Sequence, residues 1–227
     1  VSFFSTGDEL TAVGKKLKKG QIYDSNRYLL HGLLSELPVE IKDMGVVKDN
    51  KHKLKEKFLS ASQNSEFIIT TGGVSVGEAD FVRDILSVVG KINFWKISIK
   101  PGRPLAFGKI KNSYFFGLPG NPVSTVITFQ LFVIPAIEKM LNKTVKNNLF
   151  IDAITKSTIL KKKGRMEYQR AKLIKLKNTY FVETTGMQGS NILTSLAAAN
   201  CYIRLPANAS KINKGDNVEV LPFSNKF

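Results

Sequence analysis

The fold is decided by the stretch Phe67-Ile68-Ile69-Thr70-Thr71-Gly72-Gly73-Val74-Ser75-Val76-Gly77-Glu78-Ala79-Asp80. Its first five residues are typical of a buried strand, and the glycines after them predict a turn into the apolar segment Phe81–Val89, which we expect to be a helix ending at a Gly90 cap. Such a turn lets the backbone approach a ligand, and helix N-terminal amides attract phosphate. It lacks the Lys-Ser/Thr of a P-loop and the spacing of a dinucleotide fingerprint. From this pattern alone, an anion cradle and a ligand-free tight turn both remain open.

Strand and helix patterns alternate on both sides of this stretch as far as residue 140. Further strands are predicted at Val1–Ser5, Val39–Gly45, Asn93–Ile99, Leu105–Lys109 and Tyr114–Leu118. Further helices are predicted at Ser25–Leu37, Lys51–Ser62 and Val123–Met140, the last bent near Pro135. This alternation indicates an α/β domain with a mostly parallel sheet covered by helices on both faces.

The pattern changes after the polar run Asn142–Asn148. Short β-rich runs follow it, at Phe150–Ile159, Glu167–Leu176, Tyr180–Glu183, Cys201–Leu205 and Asn217–Val220. Net charge also shifts, from +6 over residues 1–140 to +10 over residues 141–227. We therefore predict two domains, an α/β domain over 1–146 and a small, β-barrel-like C-terminal domain over 147–227.

Composition narrows the class of protein. The 227 residues carry a formal charge of +16, which favours anionic partners such as nucleic acid, phosphorylated small molecules, oxyanions or an acidic membrane surface. One cysteine and two histidines exclude a disulfide framework and any cysteine-rich zinc site. No apolar run is expected to reach the roughly 20 residues that cross a bilayer. We expect a cytoplasmic protein without membrane insertion.

Two further loops are suited to an anion. Lys96 and Lys100 flank a short strand, and Pro101-Gly102-Arg103-Pro104 follows at once, so fixed positive charge stands on a stiff turn. Gly117-Leu118-Pro119-Gly120-Asn121-Pro122-Val123-Ser124 leads into the last helix, with Asn121 as a candidate cap and Pro122 in the first turn. Ligands bind at the carboxyl ends of strands in open α/β sheets, where these loops and the acidic turn after Val1–Ser5 are predicted to lie. The residues thus predict a site for a phosphorylated or oxyanionic ligand, with a basic turn of no special role as the alternative.

Eight motifs occur in the order seen in the molybdopterin molybdenumtransferase family (MoeA and the gephyrin E domain), which the chain closely resembles over nearly its whole length. They are Phe4–Leu10, Gly20–Asn26, Thr71–Asp80, Phe94–Lys96, Lys100–Pro104, Gly117–Pro122, Arg165–Arg170 and Gly186–Ser190. The resemblance implies a MogA-like, molybdopterin-binding α/β domain followed by the family's C-terminal domain.

The resemblance also implies an activity, the insertion of molybdenum into molybdopterin. The substrates would be adenylylated molybdopterin and molybdate, the cofactor a divalent metal, usually Mg²⁺, and the products AMP and molybdenum cofactor. Family proteins have a longer N-terminal region, and the resemblance implies a homodimer and a molybdopterin adenylyltransferase as pathway partner.

Site residues carried over by motif fall into three groups. Catalytic roles are implied for Asp80, Glu9, Lys96 and Lys100, and metal binding for Asp80, Asp49 and Glu9. Substrate binding is implied for Thr71, Gly72, Gly73, Ser75, Gly77, Pro119, Asn121, Pro122, Ser124, Arg170 and Ser190. Molybdate is a tetrahedral dianion, and Lys and Arg donors with a hydroxyl suit such an ion.

Two other functions stay open at this point. One is a non-catalytic fragment or a gephyrin-like scaffold, and the scaffold role predicts tight peptide binding that survives mutation of Lys100 or Asp80. A nucleic-acid binder would show affinity that falls steeply with salt. Because the basic residues stand in loops with few interleaved aromatics, we expect no specific nucleic-acid binding.

Overall fold

The chain forms two compact units in this computed structural model, which describes residues 1–73, 81–143 and 150–223. The first unit is Val1–Ile97 with Gly102–Val133, and the second is Ser98–Pro101 with Ile134–Phe227. The predicted boundary at 146/147 lies outside the described residues.

The first unit is built on a six-stranded sheet. Its order is β4-β1-β5-β9-β8-β6, in which β4, β1, β5 and β9 are parallel and β8 pairs antiparallel with both β9 and β6. The strands are β1 (Ser2–Thr6), β4 (Lys42–Val47), β5 (Phe67–Thr71), β6 (Gly90–Lys96), β8 (Pro104–Ile110) and β9 (Ser113–Leu118), and a separate short pair joins β2 (Leu10–Thr11) to β3 (Ile22–Tyr23). The predicted α/β class with a mostly parallel sheet is confirmed.

Helices cover both faces of this sheet. They are α1 (Ser25–Ser35), α2 (Lys51–Asn64), α3 (Phe81–Val89) and α4 (Pro122–Thr128). On one face α2 and α3 bury Phe58 and Leu86 against Phe4 and Phe115. On the other, α1 and α4 pack against each other and against β1 and β9. Adjacent residues of a strand point to opposite faces of the sheet, yet Phe3 and Phe4 of β1 are both fully buried. Both faces of this strand are therefore covered.

The last predicted helix is interrupted. Between α4 and α5 (Ile134–Met140), residues Phe129–Val133 form a π-helical turn. Pro135 has no N–H and its ring would clash with the carbonyl four residues earlier, so the wider turn just before it accommodates the proline. The irregularity predicted near Pro135 is present.

This helical segment also corrects one expectation. Pro122–Met140 has 19 residues and a mean hydropathy of 1.4, enough by length and composition to cross a membrane, and it is the one such helix among the described residues. Half of it is buried inside the structure, and Val123, Ile127 and Val133 are fully buried. These properties are those of a core helix.

The second unit closes a small barrel. Its sheet runs β13-β10-β16-β14-β12-β7, and β13 also pairs with β12, which closes the ring. The strands are β7 (Ile99–Lys100), β10 (Ile151–Thr155), β12 (Met166–Leu176), β13 (Thr179–Thr184), β14 (Cys201–Leu205) and β16 (Asn217–Pro222), with the pair β11 (Ile159–Leu160) and β15 (Lys211–Ile212) and the helix α6 (Leu193–Ala197) beside them. The β-rich, barrel-like prediction is confirmed.

Two local predictions were wrong at glycines. The chain passes straight from α3 into β6 at Gly90, where a Cβ would collide with the Lys109 carbonyl oxygen, so this glycine serves strand pairing and is not a left-handed cap. The strand predicted to end at Gly45 continues to Val47, because Gly45 (φ +80°) lies in a bulge opposite β1.

Candidate functional site

Four parallel strands, β4, β1, β5 and β9, end at one edge of the sheet in the first unit. Their exits carry Lys48-Asp49, Gly7-Asp8-Glu9, Gly72-Gly73 and Pro119-Gly120-Asn121. The structure thus brings Glu9, Asp49, Thr71 and Pro119 to the same edge, as the topology of an open α/β sheet requires for a ligand site.

The two glycine turns at this edge are tightly packed. Gly72 (φ +83°) and Gly73 (φ +65°) have left-handed backbones, and a Cβ on Gly72 would collide with the Thr6 carbonyl oxygen. A Cβ on Gly120 would lie 3.7 Å from Gly72 Cα, so the turns after β5 and β9 are adjacent. Side chains are excluded here, and backbone groups form the surface. Ser75, Gly77 and Asp80, predicted to continue this cradle, lie outside the described residues.

A buried hydrogen-bond network beneath the turns joins them. Asn26 Nδ2 donates to Thr71 Oγ1 and to the Gly120 carbonyl oxygen, both at 2.7 Å. The Pro119 carbonyl oxygen accepts from Thr71 Oγ1 at 3.1 Å and from Thr125 Oγ1 at 2.6 Å. Asn26 is 8% exposed and Thr71 1% exposed, so these bonds are shielded from water. The network sets the spacing of the two turns.

Polar atoms next to this network are left without partners. Asp24 caps α1 by accepting from Arg27 N–H, and it also accepts from Ser5 Oγ, both through Oδ1. Asp24 Oδ2, Asn26 Oδ1 and Thr6 Oγ1 are buried and accept no hydrogen bond from the described residues. Buried polar atoms are normally paired, so these oxygens are available to water or to a ligand donor.

The start of α4 differs from the prediction in one detail. Pro122 occupies the first turn as expected, but the Asn121 side chain makes no capping hydrogen bond, although its carbonyl oxygen accepts from Thr125 N–H at 2.9 Å. Ser124 is only 4% exposed.

Carboxylates cluster at the exits of β1 and β4. Asp49 N–H donates to Asp8 Oδ1 at 3.2 Å, and the Glu9 carboxylate folds back over Gly7. Partial burial, with the neighbouring Asp8 carboxylate, raises the pKa of Asp49. Oxygen donors of this kind suit Mg²⁺, which uses one or two carboxylates together with substrate oxygens. No group of three or more metal-ligating side chains forms among the described residues, which exclude Asp80.

The two predicted lysines belong to different units. Lys96 ends β6 opposite Pro104 and is exposed. Lys100 stands in β7, and its Nζ lies 3.2 Å from both carboxylate oxygens of Glu167, which is 4% exposed. Glu167 also accepts from Gln169 Nε2 at 2.9 Å. Lys100 is therefore held in place by a buried acid.

Arg170 is the most deeply buried charged residue of the predicted set. It is 0% exposed, and burial lowers the pKa of its guanidinium, an effect opposed by the neighbouring Tyr202. Its Nε donates to Ser195 Oγ at 2.9 Å, and Nη2 donates to the carbonyl oxygens of Met187 (2.9 Å) and Gly189 (3.0 Å). No described carboxylate pairs with it, and Nη1 has no partner among the described residues. Ser190, a further predicted residue of this unit, follows Gly189 directly.

The residues that the sequence did not single out include Asp24, Asn26 and Glu167, and also Gln188, whose side chain accepts from Arg170 N–H. Each stands inside a motif that carried the resemblance, so the motif was the available signal. Their roles depend on partners between 18 and 94 residues away, which a local pattern does not show.

Comparison with known proteins agrees with both units. Residues 2–139 match the model of a probable molybdopterin binding domain, and residues 152–223 match that of the MoeA C-terminal region (domain IV). The chain is 42% identical over 226 residues to a molybdopterin molybdenumtransferase of Haemophilus influenzae, covering 99% of this chain and 56% of the relative. It is 34% identical to gephyrin of Dictyostelium discoideum, covering 97% of this chain and 36% of the relative.

A solved structure shows the same fold. The molybdopterin biosynthesis MoeA protein of Pyrococcus horikosii superposes with a TM-score of 0.82 at 29% identity, covering 99% of this chain and 54% of that one. The chain thus spans about half or less of the length of these relatives. By its two domain matches, it belongs to the molybdopterin molybdenumtransferase family, of which it carries the molybdopterin-binding domain and the C-terminal region.

Proposed function

We propose that this chain acts in molybdenum insertion, taking adenylylated molybdopterin and molybdate and releasing AMP and molybdenum cofactor. The observation that carries the proposal is the pair of adjacent glycine turns at the carboxyl edge of the sheet, whose spacing a buried network sets. Backbone amides without covering side chains are suited to a phosphate, and family membership supplies the molybdopterin to which that phosphate belongs.

In the first unit, the residues divide into a phosphate-binding and an acidic part. Thr71, Gly72 and Gly73, together with Ser75 and Gly77, would bind the pterin side and its phosphate, while Pro119, Asn121, Pro122 and Ser124 shape the second turn. Glu9 and Asp49, together with Asp80, would hold Mg²⁺. The metal, when bound, would offset negative charge at the phosphorus from which AMP departs. Lys96 would contribute a further positive charge.

In the second unit, Lys100, Arg170 and Ser190 would serve the oxyanion. Arg170 carries a positive charge that no described carboxylate neutralises, and its Nη1 has no hydrogen-bond partner in the part of the chain that the structure describes. Lys100 is held by Glu167 with its side chain 48% exposed, so it keeps access to an incoming ion. Because Arg170 is itself buried, it would act on the oxyanion through the electrostatic potential of its charge and by supporting the segment that carries Ser190.

The test is AMP release from adenylylated molybdopterin on addition of molybdate and Mg²⁺. We expect molybdate-dependent release, lost in Lys100→Ala and retained in Lys175→Ala, an exposed lysine of the same unit. Circular dichroism of both variants checks that they are folded. AMP release that does not depend on molybdate, or AMP release that persists in Lys100→Ala, would contradict the proposed roles.

Binding of the adenylylated pterin without release is a separate outcome. It would mean that the reaction needs groups beyond this chain, in agreement with the greater length of the relatives. The homodimer, the adenylyltransferase partner and the cytoplasmic location stay predictions from the sequence.

A further inference from the structure

Arg170 and Gln188 are joined by a reciprocal set of hydrogen bonds. The Gln188 side chain pairs with the main chain of Arg170: Oε1 accepts from Arg170 N–H at 2.8 Å, and Nε2 donates to the Arg170 carbonyl oxygen at 3.1 Å. The Arg170 side chain in turn donates to the main chain on both sides of Gln188, at Met187 and Gly189. Gln188 Nε2 also donates to the Gly186 carbonyl oxygen at 3.1 Å.

These bonds make the guanidinium and the segment Gly186–Ser190 depend on each other. Arg170 has no carboxylate partner among the described residues, so the two loop carbonyl oxygens and Ser195 Oγ are what offset its charge there. Those carbonyl groups keep their direction only while the segment stays folded over β12. Beyond the end of β13 at Thr184, Thr185 N–H donates to the Arg170 carbonyl oxygen at 3.0 Å, and the Gln188 side chain adds its two bonds to the Arg170 main chain, so Gln188 extends the attachment of the segment to β12.

We propose that Gln188 is a positioning residue for the oxyanion, holding Gly186–Ser190 against Arg170 so that the Ser190 hydroxyl and the guanidinium keep a fixed arrangement. The inference rests on the proposed function, because it assigns Gln188 to the same molybdate-binding residues.

The same strand offers a matched control. Asn200 pairs with Leu173 of β12 as Gln188 pairs with Arg170: Oδ1 accepts from Leu173 N–H at 2.7 Å, and Nδ2 donates to the Leu173 carbonyl oxygen at 3.0 Å. Asn200 holds no segment that carries a predicted site residue. Asn200→Ala removes these two bonds, whereas Gln188→Ala removes the two corresponding bonds to Arg170 and also the bond to the Gly186 carbonyl oxygen, so only Gln188→Ala releases the segment with Ser190.

The experiment measures molybdate binding by calorimetry for the whole chain and both variants. We expect Gln188→Ala, which loses the three hydrogen bonds of the Gln188 side chain, to raise the Kd for molybdate about tenfold. Asn200→Ala should stay within about twofold, since the bonds it loses join Leu173 and none of them holds the segment Gly186–Ser190. In the AMP-release assay, KM for molybdate should rise in Gln188→Ala while kcat changes little.

The possible outcomes test the positioning role of Gln188 separately from the proposed function of the chain. An unchanged Kd in Gln188→Ala, or an equal loss in Asn200→Ala, overturns the positioning role while the proposed function stands. Failure of the unsubstituted chain to bind molybdate overturns the oxyanion assignment itself.

Gln188→Glu is a second variant, since it keeps the acceptor for Arg170 N–H but loses the donor to the Arg170 and Gly186 carbonyl oxygens. Because the new carboxylate oxygen would face those two carbonyl oxygens and would add negative charge to a site for an anion, the Kd of Gln188→Glu for molybdate should be at least as high as that of Gln188→Ala.

Discussion

Replacing Gly72 by alanine tests whether the turn after β5 is closed by β1. Gly72 (φ +83°) and Gly45 (φ +80°) have the same left-handed backbone, but a Cβ on Gly72 meets the Thr6 carbonyl oxygen, whereas nothing lies within 4 Å of one on Gly45. The backbone strain of alanine, roughly 1–2 kcal/mol, is common to both variants. At Gly72 alone, the collision of the Cβ with the Thr6 carbonyl oxygen should lower the free energy of unfolding by about 1–3 kcal/mol more, because Thr6 belongs to a buried strand that is packed on both sides.

The assay is urea unfolding followed by the fluorescence of Trp95, the single tryptophan, which stands in β6 of the first unit. We expect Gly72→Ala to lose about 1–3 kcal/mol more of the free energy of unfolding than Gly45→Ala. Gly72→Ala should also bind adenylylated molybdopterin more weakly. Equal losses in the two variants would refute the close approach of the turn to Thr6.

Three further changes test other parts of the structure. Asn26→Ala removes two buried hydrogen bonds and should cost about 2–4 kcal/mol in the same urea assay and weaken pterin binding, while Asn64→Ala, on the exposed side of α2, should cost under about 0.5 kcal/mol. A double-mutant cycle of Lys100→Ala and Glu167→Gln should give a coupling of about 1–2 kcal/mol in thermal unfolding, and additivity would show that the pair contributes nothing. Burial raises the pKa of Cys201 from 9.0 to about 12, so the unfolded thiol ionises first and stability should fall as pH rises from 9 towards 12. Cys201→Ala should show a smaller fall, measured by unfolding at each pH, and the native thiol should resist Ellman's reagent until urea unfolds the chain.

Elements with a strong local pattern were predictable from the sequence. Phe67–Thr71 and Phe81–Val89 have their predicted bounds, because an apolar run beside glycines specifies both the element and its end. Gly45 and Gly90 were misread, since a glycine can serve a bulge or a close strand as well as a turn or a cap. Only the neighbouring strand decides between these roles.

The candidate site was predictable as a set of loops but not as a set of contacts. The topology brings Glu9, Asp49, Thr71 and Pro119 to one edge, as parallel strands dictate. The pairing of Lys100 with Glu167 was not predictable, because β7 has only two residues and its partner strand lies 67 positions away. Asn26 likewise looks like an ordinary helical residue until β5 and β9 are placed beside it.

The short strand β7 has a consequence for how the chain is made. Its residues belong to the second unit, yet they are synthesised in the middle of the first, with the sequence on both sides belonging to that first unit. Glu167 follows Lys100 by 67 positions, so this ion pair can form only after the later part of the chain has been synthesised. A gene fragment encoding residues 147–227 alone would omit this strand, so Met166 and Glu167 would lose β7 as a strand partner and the buried Glu167 carboxylate would lose Lys100. The barrel should therefore be less stable when the segment Ser98–Pro101 is absent.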